Sequence, residues 1–177
     1  IVRLVGSEMC IRDRSDGTAT DTANLVITVT GVNDTPTAQN DVGFIDEGET
    51  LTVTNGANAN VSGSYDADEE HSGDLIDTSS SSHQDSDPDA SPTLRISAIQ
   101  PSGGSSSSVS SGSSYNSSGT SVTGTYGTLT IGADGSYTYA ANDSISGFDA
   151  NETLTDTFTY TLSDEHDATD TATLTIT

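Results

Sequence analysis

Three aspartates, Asp85, Asp87 and Asp89, alternate along a short acidic stretch of the chain. At this spacing a curled loop can bring the carboxylates onto one ion, and Ca²⁺ takes about six to eight oxygen ligands of this kind. An EF-hand loop starting at Asp85 would need Gly and Glu where this chain has Ala90 and Ile96. The triplet therefore predicts a calcium site of another type, and the alternative is a solvated acidic loop.

The overall charge also favours a cation as the partner. The 177 residues include 27 acidic and only 4 basic residues, with a formal net charge of −23. From Ser15 onward, 25 acidic residues are opposed by Arg95 alone. Such a chain repels nucleic acid and anionic membrane surfaces, and it has no apolar stretch of the roughly 18 residues that span a bilayer. Leu, Ile, Val and Phe make up about 18% of the chain, a content typical of disorder, so bound divalent metal is expected to offset the self-repulsion.

Residue types that serve in catalysis are present but are not arranged as sites. No serine lies in a Gly-x-Ser-x-Gly elbow. The histidines are scattered in polar surroundings at His71, His83 and His166. We therefore predict neither an enzyme nor a zinc site.

Two further groups of side chains have both a structural and a functional interpretation. Strand tyrosines can line a sugar-binding face but more often pack half-buried; they are Tyr126, Tyr137, Tyr139 and Tyr160. Aspartates at strand ends can bind metal but more often cap turns; they are Asp156, Asp164 and Asp170. We favour packing and capping. For the acidic run at residues 66–70 we favour a solvated loop over metal binding.

The elements that must position these residues are β-strands. Residues 24–32 are rich in β-branched side chains with alternating apolar positions, and residues 158–162 and 172–176 alternate in the same way. An Asp-Gly turn at residues 134–135 joins two more such segments. Residues 102–121 are mostly serine and glycine, the composition of a flexible loop. No stretch has helical spacing, so we predict an all-β, antiparallel sandwich.

One ten-residue segment occurs twice. Residues 19–28 and 168–177 are identical at eight of ten positions, at a constant offset of 149 residues. A fixed period is typical of a tandem array. The sequence therefore predicts one complete repeat preceded by the last strand of another.

Three stretches of the chain carry a family resemblance. Residues 124–139, residues 152–164 and the repeated strand with residues 29–36 resemble, in order and spacing, the VCBS repeat of very large bacterial surface and secreted proteins. The junction Asn33-Asp34 resembles the calcium-binding linkers of cadherin-like domains. The resemblance implies an immunoglobulin- or cadherin-like sandwich in a calcium-dependent extracellular protein, exported by a type I system. The metal ligands that it implies are Asn33, Asp34, Asp41, Glu47, Glu49, Asp85, Asp87 and Asp89.

The function expected from these features is that of a spacer. Ca²⁺ at the acidic loops and the interdomain junction would stiffen a giant adhesin at the bacterial cell surface. Its partners would be neighbouring repeats, with host-cell, biofilm or glycan ligands engaged through other domains. The alternatives are a glycan-binding adhesion module and an accessory repeat of a secreted enzyme.

The domain boundaries follow from the repeat and from composition. Residues 1–14 hold the only Cys, the only Met and three of the four basic residues, and they resemble translated sequencing adapter, so we interpret them as non-native. The remaining segments are the closing strand of a preceding repeat at 15–32, a linker at 33–41, and a complete repeat at 42–177 with an acidic loop at 65–92 and a Ser/Gly-rich loop at 102–121.

Overall fold

The structure is a computed structural model of the chain. It describes residues 9–15, 17–56, 61–64, 71–77, 83–89, 92–147 and 152–177. These residues contain strands and turns but no helix, so the predicted all-β class is confirmed. The chain forms two compact units, Ile1–Asn33 and Asp34–Thr177.

The first unit contains an antiparallel hairpin. Strand β1 (Met9–Ser15) pairs with β2 (Thr20–Val26), from Ser15 opposite Thr20 to Met9 opposite Val26. The predicted strand at residues 24–32 was therefore placed too late, because a strand needs a paired backbone and the described pairing ends at Val26. Residues 27–32 lie outside the strand and are exposed.

The second unit contains two five-stranded sheets among its described residues. The first has the order β5–β4–β10–β9–β8, with β4 at Thr50–Val53, β5 at Val61–Ser62, β8 at Thr120–Thr123, β9 at Gly127–Ile131 and β10 at Tyr137–Ala141. The second has the order β3–β12–β11–β6–β7, with β3 at Asp41–Gly43, β6 at Arg95–Pro101, β7 at Ser107–Ser108, β11 at Asp156–Ser163 and β12 at Thr169–Ile176. Of the described pairs only β3 with β12 is parallel, so the predicted antiparallel sandwich is confirmed apart from this edge.

The described residues form one hydrophobic core between the sheets. Side chains alternate between buried and more exposed positions along each strand, and the buried ones make up this core. On β10, Tyr137 and Tyr139 are buried, whereas Thr138 between them is half-buried. Tyr139 meets Phe158 of β11 edge to face, with ring centroids 6.1 Å apart. The predicted Asp-Gly turn is also confirmed, because Gly135 takes a φ of 87°, a left-handed conformation that favours glycine.

The repeated segment at the end of the chain forms β12. It pairs with β11 over eight residues, from Ser163 opposite Thr169 to Asp156 opposite Ile176. Ala172, Leu174 and Ile176 are buried, as the alternation predicted. On its other side, β12 is covered by β3.

The Ser/Gly-rich segment 102–121 differs from the predicted flexible loop. It includes β7 and the first residues of β8. Val109 is buried within it, and the buried Ser113 accepts a hydrogen bond from the Ala133 amide at 3.0 Å. Serine-rich composition predicted flexibility, but one apolar anchor and hydrogen bonds between hydroxyls and the backbone hold this segment in place.

The acidic segment predicted as a loop at 65–92 is described at residues 71–77 and 83–89, and no strand is present in those two stretches. The acidic run 66–70 lies outside the described residues. In the part of the chain that the structure describes, no helix has the length and apolar character needed to cross a membrane.

Candidate metal centre

The acidic triplet lies along the first residues of the second unit. Residues 83–89 run antiparallel to residues 34–40, and the two segments form what we call the entry ladder. The Asp34 amide donates to Asp89 Oδ2 at 2.9 Å, and Thr37 and Ser86 exchange backbone hydrogen bonds of 2.7 and 3.1 Å. The Gln39 amide donates to Asp85 Oδ1 at 2.9 Å. The structure thus brings together the predicted junction residue Asp34 and the predicted triplet.

Asp87 contributes to the entry ladder a buried carboxylate oxygen that has no hydrogen-bond partner among the described residues. Its Oδ1 accepts the Asp89 amide at 2.8 Å. Its Oδ2 is buried and accepts no hydrogen bond from the described residues. Burying a carboxylate oxygen without a partner is costly, which makes this atom a candidate ligand for a cation.

Asp87 also borders a cleft. The cleft has a volume of about 310 Å³ and is lined by Ile76, Gln84, Asp85, Ser86, Asp87, Pro92 and Leu94. Its polar lining consists of oxygen-bearing side chains, including two carboxylates. Oxygen ligands of this kind suit Ca²⁺ rather than a softer metal.

Asp41, at the start of β3, is a buried carboxylate beside the entry ladder. It is 2% exposed, and it accepts a hydrogen bond from the Tyr160 hydroxyl at 2.7 Å. Burial raises its pKa to about 7; the Tyr160 hydrogen bond lowers it, and the negative charge of Asp85 raises it further. A carboxyl group in this position holds its charge only at a cost, unless a cation compensates for it.

Two more buried carboxylates share this environment. Burial raises the pKa of Asp85 to about 6, and the charges of Asp77 and Asp74 add to the effect. Burial raises the pKa of Asp74 to about 6 in the same way. Sequence reasoning placed Asp74 in an acidic loop without assigning it to a site, because no spacing pattern links it to Asp85.

A buried hydroxyl lies near the same charges. Tyr137 is fully buried, and its hydroxyl forms no hydrogen bond with the described residues. Burial raises its pKa, and the charges of Asp41 and Asp74 add to this. The interior next to β3 therefore holds carboxylates and an unsatisfied hydroxyl.

The local charge is not neutralised by arginine or lysine. Arg95 is the only such residue in the second unit. It pairs with Asp167 at 2.6 Å instead. His83 belongs to the entry ladder, and its Nδ1 lies 2.6 Å from the Asn40 carbonyl.

Not all predicted ligands join this region. Glu47 and Glu49 are exposed. They lie near the C-terminal end of β12, because the amide of the preceding Ile45 donates to the Thr177 carbonyl. The entry ladder lies near the other end of β12, where the Ala38 amide donates to Asp170. Glu47 Oε1 accepts the Ile145 amide at 2.7 Å. Asn33 is the last residue of the first unit.

The residues fit a hard cation by their chemistry more than by their present geometry. They supply several carboxylate oxygens, one of them unsatisfied. However, no three His, Cys, Asp or Glu side chains of the described segments are close enough to hold a metal ion as they stand. Side-chain rotation at Asp85, Asp87 or Asp89 would be needed to close a coordination sphere.

The sequence favoured a capping role for three other aspartates. Asp156 accepts the amides of Thr125 and Tyr126 at 2.8 and 2.9 Å. Asp164 Oδ1 accepts two amides across its turn, both at 2.8 Å, from His166 and Ala168. Asp170 accepts the Ala38 amide at 2.9 Å. The capping prediction is confirmed for Asp156 and Asp164, whose hydrogen-bond donors are turn amides, whereas Asp170 accepts the amide of the distant Ala38.

The tyrosines do not form the sugar-binding face considered above. Tyr137, Tyr139 and Tyr160 are 0%, 2% and 0% exposed. Only Tyr126 of the four is half-buried. Their rings fill the space between the sheets, so a concave aromatic surface built from these residues is wrong.

The fold defines a class: an all-β sandwich domain, here with buried carboxylates beside the entry ladder. The family model of the bacterial cadherin-like domain matches residues 33–177. The chain therefore belongs to the bacterial cadherin-like domain family, whose members are generally structural or adhesion modules without catalysis. No curated protein matches the chain.

Proposed function

We propose that this domain is a calcium-ordered structural repeat, of the VCBS type, from a bacterial surface adhesin. The observation that carries the proposal is the group of buried carboxylates Asp41, Asp74 and Asp85, together with the unsatisfied oxygen of Asp87. No arginine or lysine compensates for them, since Arg95 pairs elsewhere. A divalent cation would neutralise this charge.

The entry ladder provides the mechanism. Residues 34–40 are the first residues of the second unit, and residues 83–89 belong to the acidic segment, whose described residues form no strand. Backbone-to-carboxylate hydrogen bonds and one bridge join the two segments. An ion held by Asp85, Asp87 and Asp89 would fix this loop and, through it, the point where the chain enters the sandwich. The repeat would then be stiff in a calcium-rich medium and slack in a calcium-poor cytosol during type I export.

The proposed setting is the bacterial cell surface, with neighbouring repeats as the direct partners. An adhesive contact with a cell, biofilm or glycan would be made by other domains. The buried tyrosines support a spacer over a glycan-binding module, because they leave no aromatic platform of their own on the surface.

Thermal unfolding with and without Ca²⁺ tests the proposal. At a calcium concentration about 100-fold above Kd, binding stabilises a protein by about 2.7 kcal/mol. For a domain of this size this corresponds to a rise in Tm of roughly 5–10 °C. We expect this rise with millimolar Ca²⁺ and a much smaller one with Mg²⁺, which is reluctant to lose its water.

Matched variants localise the effect. The double variant Asp85→Asn/Asp87→Asn should abolish the calcium-dependent rise, whereas Glu49→Gln, which changes an exposed carboxylate away from the entry ladder, should leave it unchanged. An identical Tm with Ca²⁺ and with a chelator would refute the metal role. A rise that survives Asp85→Asn/Asp87→Asn would place the ion elsewhere.

A further inference from the structure

One continuous segment of this acidic chain carries no charge. Residues 96–133 contain no Asp, Glu, Lys or Arg, although the chain has 27 acidic and 4 basic residues. We call this segment the neutral flank, and it includes β7, β8 and β9. At the opposite edges of the two sheets, β3 contains Asp41, and Ser64 beyond β5 donates to Asp46. The neutral flank therefore provides two edge strands, whereas carboxylates accompany the edge strands on the other side.

Strand β8 has outer backbone groups without partners in the part of the chain that the structure describes. It is the last strand of its sheet and pairs only with β9 there. The Gly124 amide donates to the Gly127 carbonyl at 2.8 Å, and hydrogen-bonded positions alternate along an antiparallel pair. Val122 therefore bonds β9, whereas the amides and carbonyls of Ser121 and Thr123 point away from it. These groups can pair with a further strand.

The edge at β8 is held in position but lacks the usual protection against pairing. The Thr120 hydroxyl donates to the Ser108 carbonyl of β7 at 3.1 Å, and the hydroxyls of Ser121 and Thr130 lie 2.8 Å apart. Natural edge strands are commonly protected by charged side chains, proline or a bulge. Strand β8 has no charged residue and no proline, and its register with β9 is unbroken. Because Ser121 and Thr123 are exposed, another strand can reach this edge.

We propose that β8 is a self-association surface, at which it pairs antiparallel with β8 of a second copy of this chain. With a two-fold axis at Val122, Ser121 of each copy lies opposite Thr123 of the other, and both of these positions are hydrogen-bonded. The sheets that contain β8 then join into one continuous sheet.

The charge distribution favours a second copy as the occupant of this edge. Two chains with a net charge of −23 repel each other, and the repulsion is weakest where neither contributes a carboxylate to the contact. A two-fold contact places the neutral flank of one copy against the neutral flank of the other. A basic partner would instead be attracted to the acidic side of the domain. This surface does not depend on the proposed calcium role.

Sedimentation velocity of the full chain in calcium-free buffer measures the association. We expect a dimer at high protein concentration, with a Kd that falls as salt is added, because salt screens the repulsion between two strongly acidic chains. An interface made of ion pairs would weaken with salt, and that result would contradict the proposal. A chain that stays monomeric at high concentration in high salt would overturn it as well.

The variant Thr123→Pro removes the amide that each copy would donate across the two-fold axis. The dimer then loses two hydrogen bonds, and its Kd should rise about 30-fold. Proline is tolerated on an edge strand where the amide faces solvent, so the circular dichroism spectrum and Tm of the monomer should stay close to those of the wild type. A Kd unchanged by Thr123→Pro would show that this backbone edge is not the interface.

Charged variants test the register of the pairing. Ser121→Asp/Thr123→Asp places like charges opposite each other across the axis and should abolish the dimer, whereas Ser121→Lys/Thr123→Asp places opposite charges there and should restore it. Thr50→Asp/Thr52→Asp adds the same charge to β4, away from this edge, and is the matched control that should still dimerise. The proposal fails if the dimer survives Ser121→Asp/Thr123→Asp, if the lysine variant does not restore it, or if the control weakens it equally.

Discussion

Replacing the buried carboxyl of Asp41 by a carboxamide should flatten the pH dependence of stability. Asp41 is 2% exposed, and burial raises its pKa from 3.8 to about 7. Such a group binds its proton more tightly in the folded than in the unfolded chain. Its stabilising contribution is complete below the unfolded pKa and is lost as the pH rises through 7.

The size of the effect follows from these two values. By proton linkage, Asp41 alone should cost the wild-type domain roughly 2.5 kcal/mol of unfolding free energy between about pH 5 and pH 8. Asp74 and Asp85, whose pKa values burial raises to about 6, act in the same direction. The Asp41→Asn variant keeps an oxygen that can accept the Tyr160 hydrogen bond but cannot ionise. Between about pH 5 and pH 8, the Asp41→Asn variant should therefore lose roughly 2.5 kcal/mol less unfolding free energy than the wild type.

Urea unfolding followed by circular dichroism, in calcium-free buffer across this pH range, measures the difference. Asp143→Asn, which changes an exposed carboxylate, is the matched control and should keep the wild-type slope. If Asp41→Asn loses as much stability with rising pH as the wild type, then Asp41 is not held in a desolvated site and the argument from its burial is wrong.

Three further predictions concern the packing around the sheets. Asp156→Ala leaves the amides of Thr125 and Tyr126 and the Tyr139 hydroxyl without their acceptor, and should lower the unfolding free energy by about 3 kcal/mol or more in urea titrations. Gly132→Ala places a Cβ against the backbone of Ser114 and should cost about 1–3 kcal/mol in the same assay, whereas Gly31→Ala meets open space and should cost less than about 0.5 kcal/mol. Tyr160→Phe removes the hydroxyl that bonds Asp41 and should cost about 1–2 kcal/mol, with a steeper loss of stability towards alkaline pH because that hydrogen bond lowers the pKa of Asp41.

Local patterns predicted the hairpins of this fold. Alternating apolar residues and an Asp-Gly turn specify the pairing of β9 with β10, and the repeated segment specifies β12. These elements were predictable because their information lies within a few residues. The strand predicted at residues 24–32 was misplaced because the apolar alternation of the sequence continues past Val26, where the described pairing of β2 with β1 ends.

The entry ladder could be predicted only in part. The chemistry of Asp85, Asp87 and Asp89 and of the Asn33-Asp34 junction indicated a cation, and the structure joins Asp34 to Asp89. The participation of Asp41 and Asp74 in one buried environment depends on long-range packing of segments with no periodic pattern. For the same reason, sequence could not show that Glu47 and Glu49 lie near the other end of β12.

The buried carboxylates of this chain therefore fall into two groups, which differ in how their charge is stabilised. Asp156 and Asp164 each accept two backbone amides, which satisfy their charge within the fold and leave little reason for a metal. Asp41 accepts the Tyr160 hydroxyl, and Asp87 has a buried oxygen with no donor among the described residues. A carboxylate is stabilised by amide donors as well as by cations, so total charge alone does not locate an ion. Calcium should act where burial exceeds the supply of donors, and in the described part of this domain that place is the entry ladder with β3.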